Sequence, residues 1–430
     1  MISLLVKQYK DKFEFFKYVT DNKEHPQAGN RIVVLLFVVC ALGTSLFVND
    51  NLHISAYMQG KKTQSYLYER YYKDPEKVEL KFPEKKQNLI YIFLESMESN
   101  FNQVKVDGEV VNLIPELELI ARENTHFSNS EKLGGPYTMS GLSWTAASLV
   151  GQTSGVPLEV SMHDDDSYEE KETFLPGVKT LGEILKENGY KNYFMIGSDG
   201  NFGSRKTYFK THGEYEIMDL LYMREIGKVP EDYNVFWGYE DSRLFAFAQE
   251  KLTEISKSDE PFNFTMLTVD THFMDGYVDE TDPVPFSVEY ANAILNSDTK
   301  LAAFIRWIQK QDFYEDTTII LCGDHESMND KFNKTVVDPN LTLYNTFINP
   351  RVQAEKMTNR EFSVLDMFPS TLAALGVEIE GDKLGLGVNL FSNQLTLVEF
   401  LGADQLNLEI GMKSNFYEKK FLQLDSTENK

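Results

Sequence analysis

The chain has 430 residues, of which 42% are apolar, and its formal net charge is -24. This length and apolar fraction predict one large or two ordinary folded domains with a sizeable core, and exclude a disordered polypeptide. The strong negative charge argues against a nucleic-acid partner, because a phosphate backbone is bound by clustered Lys and Arg. The two cysteines, Cys40 and Cys322, are too few and too differently placed to form a disulfide framework.

The apolar segment 32–48 contains no charged residue and is just long enough to cross a bilayer. More Lys and Arg precede this segment than closely follow it, so the positive-inside rule predicts a cytoplasmic segment 1–31 and an extracytoplasmic domain. A cleaved signal peptide is the alternative, although its charged region would be unusually long and no clear cleavage site follows. We therefore expect a single transmembrane helix over 32–48 and a polar linker arm over 49–87.

Beyond the arm, apolar runs typical of buried strands alternate with helical stretches. The predicted strands are Leu89–Leu94, Tyr193–Ile196, Phe264–Val269 and Thr318–Cys322. The predicted helices are Pro115–Asn124, Thr180–Asn188, and two near Asp241–Ile255 and Tyr290–Gln311. This alternation predicts an α/β catalytic domain over 88–393, with a mainly parallel central sheet and helices on both faces. Residues 394–430 would form a C-terminal extension.

Candidate ligands follow three of these strands. Glu95 comes directly after the first strand, Asp270 and His272 follow the third, and Asp324-His325 follow the fourth after one glycine. In such sheets, ligands gather at the carboxyl ends of the strands, so we expect these groups on one rim. A single carboxylate at a strand end is more often a helix cap than a ligand. Three such ends are hard to explain as caps, and their donor atoms suit a hard or borderline divalent metal.

A hydroxyl ligand is expected from the Gly-, Ser- and Thr-rich stretch 134–155. Thr145 stands before Ala-Ala-Ser-Leu-Val, a predicted helix start, so its hydroxyl could lie at a positive helix end and act as a metal-activated nucleophile. It could equally be the N-cap of that helix. The competing hydroxyls are those of Thr138, Ser140, Ser143 and Ser148. The residues alone leave these interpretations open.

Six segments occur in a distinctive order: NLIYIFLESMES, the Gly-rich Trp-Thr stretch ending in QTSGVPL, MIGSDGNFGSRKTYFKTHG, TMLTVDTHFMDGY, IILCGDH and DMFPSTLAALG. Together they resemble the lipoteichoic acid synthase and phosphoglycerol transferase family of the alkaline phosphatase and sulfatase superfamily. The resemblance covers about residues 65–393 and is greatest to the phosphoglycerol transferase I-like branch. In such enzymes the nucleophilic threonine stands a fixed distance before a Gly-x-Pro-Leu turn. Counting back from Gly155-Val-Pro-Leu selects Thr145 rather than Thr138.

The resemblance implies a site for one divalent ion, Mn²⁺ or Mg²⁺, with the ligands Glu95, Thr145, Asp324 and His325. It also implies that Arg205 and His272, with Asp270 beside His272, bind the glycerol phosphate of the substrate. A guanidinium matches phosphate oxygens in two contacts. An imidazole could hydrogen-bond glycerol or protonate a departing alkoxide.

The implied activity is transfer of glycerol phosphate from a lipid such as phosphatidylglycerol, through a covalent intermediate on Thr145, to polyglycerolphosphate, a glycan or water. The enzyme would lie in a bacterial cell membrane with its catalytic domain outside. Family members usually carry several membrane spans where this chain has one predicted span, so it is either a reduced form or a fragment, and single transfer is more secure than polymer synthesis. The loop after Tyr277 also lacks the paired cysteines that related sequences often carry.

Three other functions stay open. A sulfatase would need Cys or Ser in a C/S-x-P-x-R frame, and neither Cys40 nor Cys322 provides one. A phosphoethanolamine transferase or phosphodiesterase would share the threonine and the metal ligands, and would differ in its pocket for the donor headgroup. A non-catalytic membrane-anchored surface protein would be expected to lose ligands, whereas all four are present.

Overall fold

A computed structural model describes residues 34–44, 63–159 and 174–422. The chain divides into two compact units, of which the first ends at Thr63 and the second comprises Gln64–Lys430. In the first unit, residues 34–44 form a helix with exposed side chains. Within the described ranges, no helix combines the length and the apolar character needed to cross a membrane. The predicted span 32–48 and segment 1–31 lie partly or wholly outside those ranges, so the membrane anchor stays a prediction.

Six strands of the second unit form its central sheet, and we number them in chain order. They are β1 (Asn88–Leu94), β2 (Lys191–Ile196), β3 (Glu216–Met218), β4 (Phe262–Leu267), β5 (Thr317–Gly323) and β6 (Asn345–Ile348). Their order across the sheet is β3-β2-β4-β1-β5-β6. Neighbouring strands are parallel except for β5 and β6, which are antiparallel. The predicted α/β fold with a mainly parallel sheet is confirmed, and β1 lies between β4 and β5.

We number seven helices of the second unit in chain order, as for the strands. They are α1 (Pro115–Glu123), α2 (Thr145–Ser154), α3 (Leu181–Glu187), α4 (Arg205–Thr211), α5 (Asp241–Ile255), α6 (Glu289–Ile308) and α7 (Met367–Ala374). One buried apolar cluster contains residues of α2, α3, α4 and α7, and a second contains residues of α1, α5 and α6. Consecutive residues of β1, such as Tyr91 and Ile92, belong to different clusters, because successive side chains of a strand point to opposite faces. Helices therefore cover both faces, which explains why β1 is apolar throughout.

Shorter elements complete the second unit. The short strands are Leu80–Lys81, Val104–Val106, Glu109–Val111, Glu378–Ile379, Lys383–Leu384 and Gly387–Val388. The remaining α-helices of the second unit are Leu67–Tyr71, Leu220–Glu225, Asp330–Asn333, Leu397–Leu401, Ala403–Gly411 and Asn415–Tyr417.

Residues 64–87, predicted as part of the linker arm, pack on the second unit instead. Strand Leu80–Lys81 pairs with Glu378–Ile379. The ring of Tyr68 is buried and stacks on Phe416 with 6.1 Å between ring centroids. Residues 64–87 therefore belong to the second unit, because their strand and aromatic side chains contact residues near the C-terminal end of the chain.

Residues 394–422, predicted as part of a separate extension, also belong to this unit. The Tyr417 hydroxyl donates to the Pro157 carbonyl at 3.0 Å and accepts from the Glu159 backbone N–H at 3.0 Å. Ser65 Oγ donates to a Glu409 carboxylate oxygen at 2.7 Å. The C-terminal residues thus support the Gly155-Val-Pro-Leu turn that follows α2.

The N terminus of α1 is capped by a side chain from α6. Asp298 accepts hydrogen bonds from the backbone N–H groups of Glu116 and Leu117 at 3.0 and 2.7 Å. A negative charge is favourable at a helix N terminus. Asp298 is fully buried, however, and burial raises its pKa to about 7. Between about pH 4 and 7 the folded chain therefore keeps a proton on Asp298 that the unfolded chain has lost.

This proton predicts how stability changes with pH. A folded-state pKa above the unfolded value adds stability that is complete below about pH 4 and is lost as the pH rises through about 7, on the order of 2–4 kcal/mol in all. Asp298→Asn removes this dependence. In urea unfolding at pH 5 and pH 8, we expect wild type to lose stability relative to the variant as the pH rises. Asp316→Asn, at an exposed carboxylate, is the control, and a pH-independent difference for Asp298→Asn would contradict the prediction.

Candidate active site

The carboxyl ends of β1 and β5 bring three of the predicted ligands together. Glu95, Asp324 and His325 each offer a ligand atom, and these atoms all lie within 4.8 Å of one another. His325 Nε2 is 3.4 Å from Glu95 Oε1 and 3.4 Å from Asp324 Oδ2. All three side chains are buried. The parallel pairing of β1 with β5, which places Leu94 opposite Gly323, produces this convergence.

Thr145 completes the group. It is the first residue of α2, and Trp144 is the N-cap without a side-chain capping bond. Thr145 Oγ1 donates to Glu95 Oε2 at 3.4 Å and lies 3.3 Å from His325 Nε2. Thr138 instead lies beside Glu326. Of Thr138 and Thr145, it is therefore Thr145 whose hydroxyl faces the predicted metal ligands, and the N-cap of α2 is Trp144 rather than Thr145.

Helix α2 is fixed to the sheet by one buried side chain. Gln152 Nε2 donates to the Gly323 carbonyl at 3.0 Å, and its Oε1 accepts from the Tyr91 hydroxyl at 2.7 Å. These bonds connect α2 to both β5 and β1. At the other end of the preceding loop, Gly141 has φ +71°, and a Cβ there would lie 2.9 Å from the Leu158 carbonyl oxygen. The position of Thr145 is therefore set by the backbone around it.

Hydrogen bonds orient the ligands from behind. Asp324 Oδ1 accepts from the backbone N–H groups of Ser96 and His325, both at 2.7 Å. Asp324 Oδ2 is buried and has no hydrogen-bond partner among the described residues. His325 Nδ1 lies 2.7 Å from the Glu326 carbonyl, which can only accept, so Nδ1 carries the proton and Nε2 keeps its lone pair in the neutral ring. Asp324 Oδ2 and His325 Nε2 can therefore both serve as ligand atoms of the cluster.

The electrostatics of the cluster favour a cation. Burial, followed by the charge of Glu95, raises the pKa of Asp324 to about 7. Burial lowers the pKa of His325, but Asp324 and Glu95 outweigh burial and hold that pKa above its usual value. The carboxylates thus repel each other in a low-dielectric site. Two carboxylates, one imidazole and one hydroxyl, with Asp324 Oδ2 unpaired, fit a hard or borderline divalent ion.

Arg205 lies in the same pocket as Glu95 and Thr145. It begins α4 after Gly203 and Ser204, which both have positive φ, and its side chain is 7% exposed. Nε donates to the Phe202 carbonyl at 2.8 Å, and Nη2 donates to the Asp199 carbonyl at 2.9 Å. Among the described residues, Nη1 makes no hydrogen bond. Burial lowers the pKa of Arg205, but a guanidinium remains charged.

His272 also lines this pocket, together with two aromatic residues that the sequence did not indicate. Its Nδ1 lies 2.8 Å from the Phe273 carbonyl, which leaves Nε2 for a ligand. The rings of Trp237 and His272 are 4.6 Å apart, and those of Trp237 and Phe202 are 5.8 Å apart. Trp237 precedes α5 in a loop without a recognisable motif, and only the fold brings it to the pocket.

Asp270 does not join the pocket. Its Oδ1 accepts from the Asp241 backbone N–H at 3.0 Å, and its Oδ2 pairs with Lys300 Nζ at 3.2 Å. Lys300 also pairs with Asp282 at 2.7 Å. The Asp270 carboxylate is thus bound by Lys300 and by the N terminus of α5, and these contacts hold the loop that carries His272. Contact of Asp270 with substrate stays a prediction.

A family model described as Sulfatase matches residues 87–377, more than half of the chain. The chain belongs to the sulfatase family. Phosphoglycerol transferase I of Escherichia coli (strain 55989 / EAEC) is 31% identical to this chain over 353 residues, covering 79% of this chain and 43% of that protein. Phosphoglycerol transferase I of Shigella boydii serotype 18 matches with the same identity and coverage. This sulfatase-family chain thus spans 43% of the length of these relatives.

A solved structure shares the fold. The lipoteichoic acid synthase LtaP from Listeria monocytogenes superposes with a TM-score of 0.57 at 18% sequence identity, over 74% of this chain and 79% of that chain. The predicted resemblance is therefore confirmed at the level of the family and the fold.

The ligand geometry predicts that metal affinity depends on Asp324. Asp324→Asn keeps the size of the side chain but removes a carboxylate charge, so we expect Mn²⁺ affinity to fall by about 100-fold or more. Calorimetric titration of the full chain measures this, and the rise in melting temperature with Mn²⁺ should disappear in parallel. Asp316→Asn is the control, because Asp316 is an exposed carboxylate that is not a predicted metal ligand. This variant should bind Mn²⁺ as tightly as wild type does. Unchanged affinity in Asp324→Asn would show that the ligand set is misassigned.

Proposed function

We propose that this protein is an extracytoplasmic, metal-dependent phosphoglycerol transferase that moves glycerol phosphate from a phosphatidylglycerol-type lipid to a hydroxyl acceptor. The observation that carries the proposal is the position of Thr145 Oγ1, within 3.4 Å of Glu95 and His325 and in one pocket with Arg205. A hydroxyl held by metal-type ligands beside a guanidinium suits covalent phosphoryl transfer. The named relatives support glycerol phosphate as the transferred group.

The first step loads the threonine. Glu95, Thr145, Asp324 and His325 would hold a divalent ion, Mn²⁺ or Mg²⁺, whose positive charge would lower the pKa of the threonine hydroxyl. Thr145 loses its proton to solvent and its Oγ1 forms a bond to the phosphorus. The bond from phosphorus to the diacylglycerol oxygen breaks, and that oxygen keeps the electron pair. His272, in its imidazolium form, gives this oxygen a proton from Nε2, so diacylglycerol leaves neutral.

The second step reverses the roles. The acceptor hydroxyl gives its proton to the now neutral His272 and its oxygen bonds to phosphorus, while the bond from phosphorus to Thr145 Oγ1 breaks. The threonine oxygen takes up a proton from solvent. Arg205 offsets the negative charge on the phosphoryl oxygens throughout, since its buried guanidinium is held in place by carbonyl groups. The acceptor is polyglycerolphosphate, as in lipoteichoic acid synthesis, or a glycan.

We further propose that the predicted transmembrane helix over 32–48 anchors the enzyme in the bacterial cell membrane. The catalytic unit would then work on the outer side, next to lipids of the outer leaflet. A donor that resides in the membrane fits an enzyme tethered beside it.

The nucleophile can be identified by mass. The full chain, with Mn²⁺ and fluorescent phosphatidylglycerol but no acceptor, should release diacylglycerol and gain a glycerophosphoryl adduct on Thr145. In Thr145→Ala we expect both signals to vanish, with turnover reduced by about 10³-fold or more, because the hydroxyl that lies beside both Glu95 and His325 is lost.

The matched control is Thr138→Ala, at the competing hydroxyl beside Glu326, and it should form the adduct as wild type does. Turnover that survives in Thr145→Ala would disprove the assignment of the nucleophile. Phosphatidylethanolamine offered in place of phosphatidylglycerol tests the donor headgroup, and faster turnover of that lipid would favour a phosphoethanolamine transferase.

Arg205 predicts a separate effect on substrate binding and rate. Arg205→Lys keeps the positive charge but loses the planar fork and its two carbonyl bonds, so we expect kcat/KM for the lipid donor to fall about 100-fold or more. Steady-state kinetics measures this, and Mn²⁺ affinity should stay within about threefold of wild type because Arg205 is no ligand. An unchanged kcat/KM in Arg205→Lys would contradict the assignment of Arg205 to the phosphate site.

A further inference from the structure

Exposed apolar side chains stand around the mouth of the active-site pocket. They are Phe202, Trp237, Met274 and Met328, which are 57%, 42%, 61% and 45% exposed. We call this set the apolar rim. Large apolar side chains exposed singly are common on protein surfaces, whereas a contiguous group beside a site marks an interaction surface.

Three of the four rim residues lie on loops that also carry a predicted site residue. Phe202 stands three residues before Arg205, Met274 stands two residues after His272, and Met328 stands three residues after His325. An exposed apolar side chain thus lies within three residues of each of Arg205, His272 and His325.

Contacts connect the members of the apolar rim. The rings of Phe202 and Trp237 are 5.8 Å apart, and both residues line the pocket itself. Trp237 lies against His272, with 4.6 Å between their rings. The Asn329 side-chain amide donates to the Met274 carbonyl at 2.8 Å, which joins the loop of Met328 to the loop of His272. Phe202 and Trp237 therefore line the pocket, and Met274 and Met328 lie on two connected loops that also carry His272 and His325.

We propose that the apolar rim binds the acyl chains of the donor lipid at the surface of the bilayer, so that the headgroup phosphate reaches Arg205 and Thr145. This inference rests on the proposed function. In a glycerophospholipid only the glycerol backbone separates the phosphorus from the acyl chains, so a phosphate held in the pocket leaves the chains at its mouth. The leaving group, diacylglycerol, is apolar on that same side.

Charge supports an apolar rather than an electrostatic contact with the membrane. The net charge of -24 opposes attraction to a surface of anionic phosphatidylglycerol. Apolar contact is then the remaining source of affinity, at roughly 25 cal/mol per Å² of buried apolar surface. Tryptophan suits such a boundary, because its ring is apolar and its N–H can stay in contact with water or headgroups.

The test compares two donors with the same headgroup. The double variant Met274→Gln, Met328→Gln, in the full chain, is assayed with phosphatidylglycerol in vesicles and with glycerophosphoglycerol, a water-soluble donor that has no acyl chains. Neither methionine lines the pocket. We expect kcat/KM on vesicles to fall about tenfold, in line with the loss of roughly 1.4 kcal/mol of apolar contact. Activity on the soluble donor should remain at the wild-type level.

Met357→Gln is the matched control, because Met357 is 45% exposed like Met328 and does not line the pocket. It should leave both donors unaffected. An unchanged rate of the double variant on vesicles, or an equal fall on both donors, would overturn the proposal for the apolar rim. Wild-type turnover of the soluble donor tests the proposed function by itself, so failure of the rim and failure of the function give different results.

A second measurement reports contact without activity. A fluorophore is attached at Met274→Cys or Met357→Cys in a Cys40→Ser background, where the remaining Cys322 is buried. With the full chain in vesicles, lipids with brominated acyl chains should quench the label at 274 several times more than the label at 357. Equal quenching would overturn the proposal. So would protection of the label at 274 by a glycan acceptor or by raised protein concentration, which would assign the surface to an acceptor or to a second copy of the chain.

Discussion

The parallel pairing of β1 with both β4 and β5 is the constraint on which the active site depends. Each of these strands ends at the same edge of the sheet, and the register that aligns Leu94 with Gly323 fixes where the next residues stand. The backbone therefore brings Glu95 and Asp324 together despite the repulsion between their carboxylates. The cost of bringing two carboxylates together is met by burial of the continuous apolar strands behind them, which supply most of the stabilising free energy.

This arrangement separates the parts that fold the protein from the parts that react. Buried apolar residues on both faces of β1 hold the sheet, while the groups just beyond the strand ends carry charges that the fold leaves unbalanced. The raised pKa values of Asp324 and His325 express that imbalance. Lys300 and its partners Asp270 and Asp282 form the opposite case, in which the ion pairs are complete and fix the loop that carries His272.

Much of the fold could be predicted from sequence because buried parallel strands are continuous apolar runs, as in Leu89–Leu94 and Thr318–Cys322. The three- and four-residue strands β3 and β6 carry too short a signal. Contacts between distant residues escaped prediction for a different reason. Asp270 pairs with Lys300, thirty residues later in the chain, and Tyr68 stacks on Phe416, which lies near the other end of the chain. Trp237 reaches the pocket only through packing. Thr145 could be selected only by resemblance, since the residues alone left its hydroxyl equal to its neighbours.

Arg205 shows how the fold prepares a flexible side chain for its ligand. A free arginine samples many rotamers, and ordering a long side chain costs up to about 2 kcal/mol of conformational entropy. Here the carbonyl groups of Phe202 and Asp199 have already fixed the guanidinium plane before any phosphate arrives. That entropy is lost during folding rather than during binding. A phosphate bound there would meet a rigid receptor, and selectivity for the spacing of its oxygens would follow from rigidity rather than from charge alone.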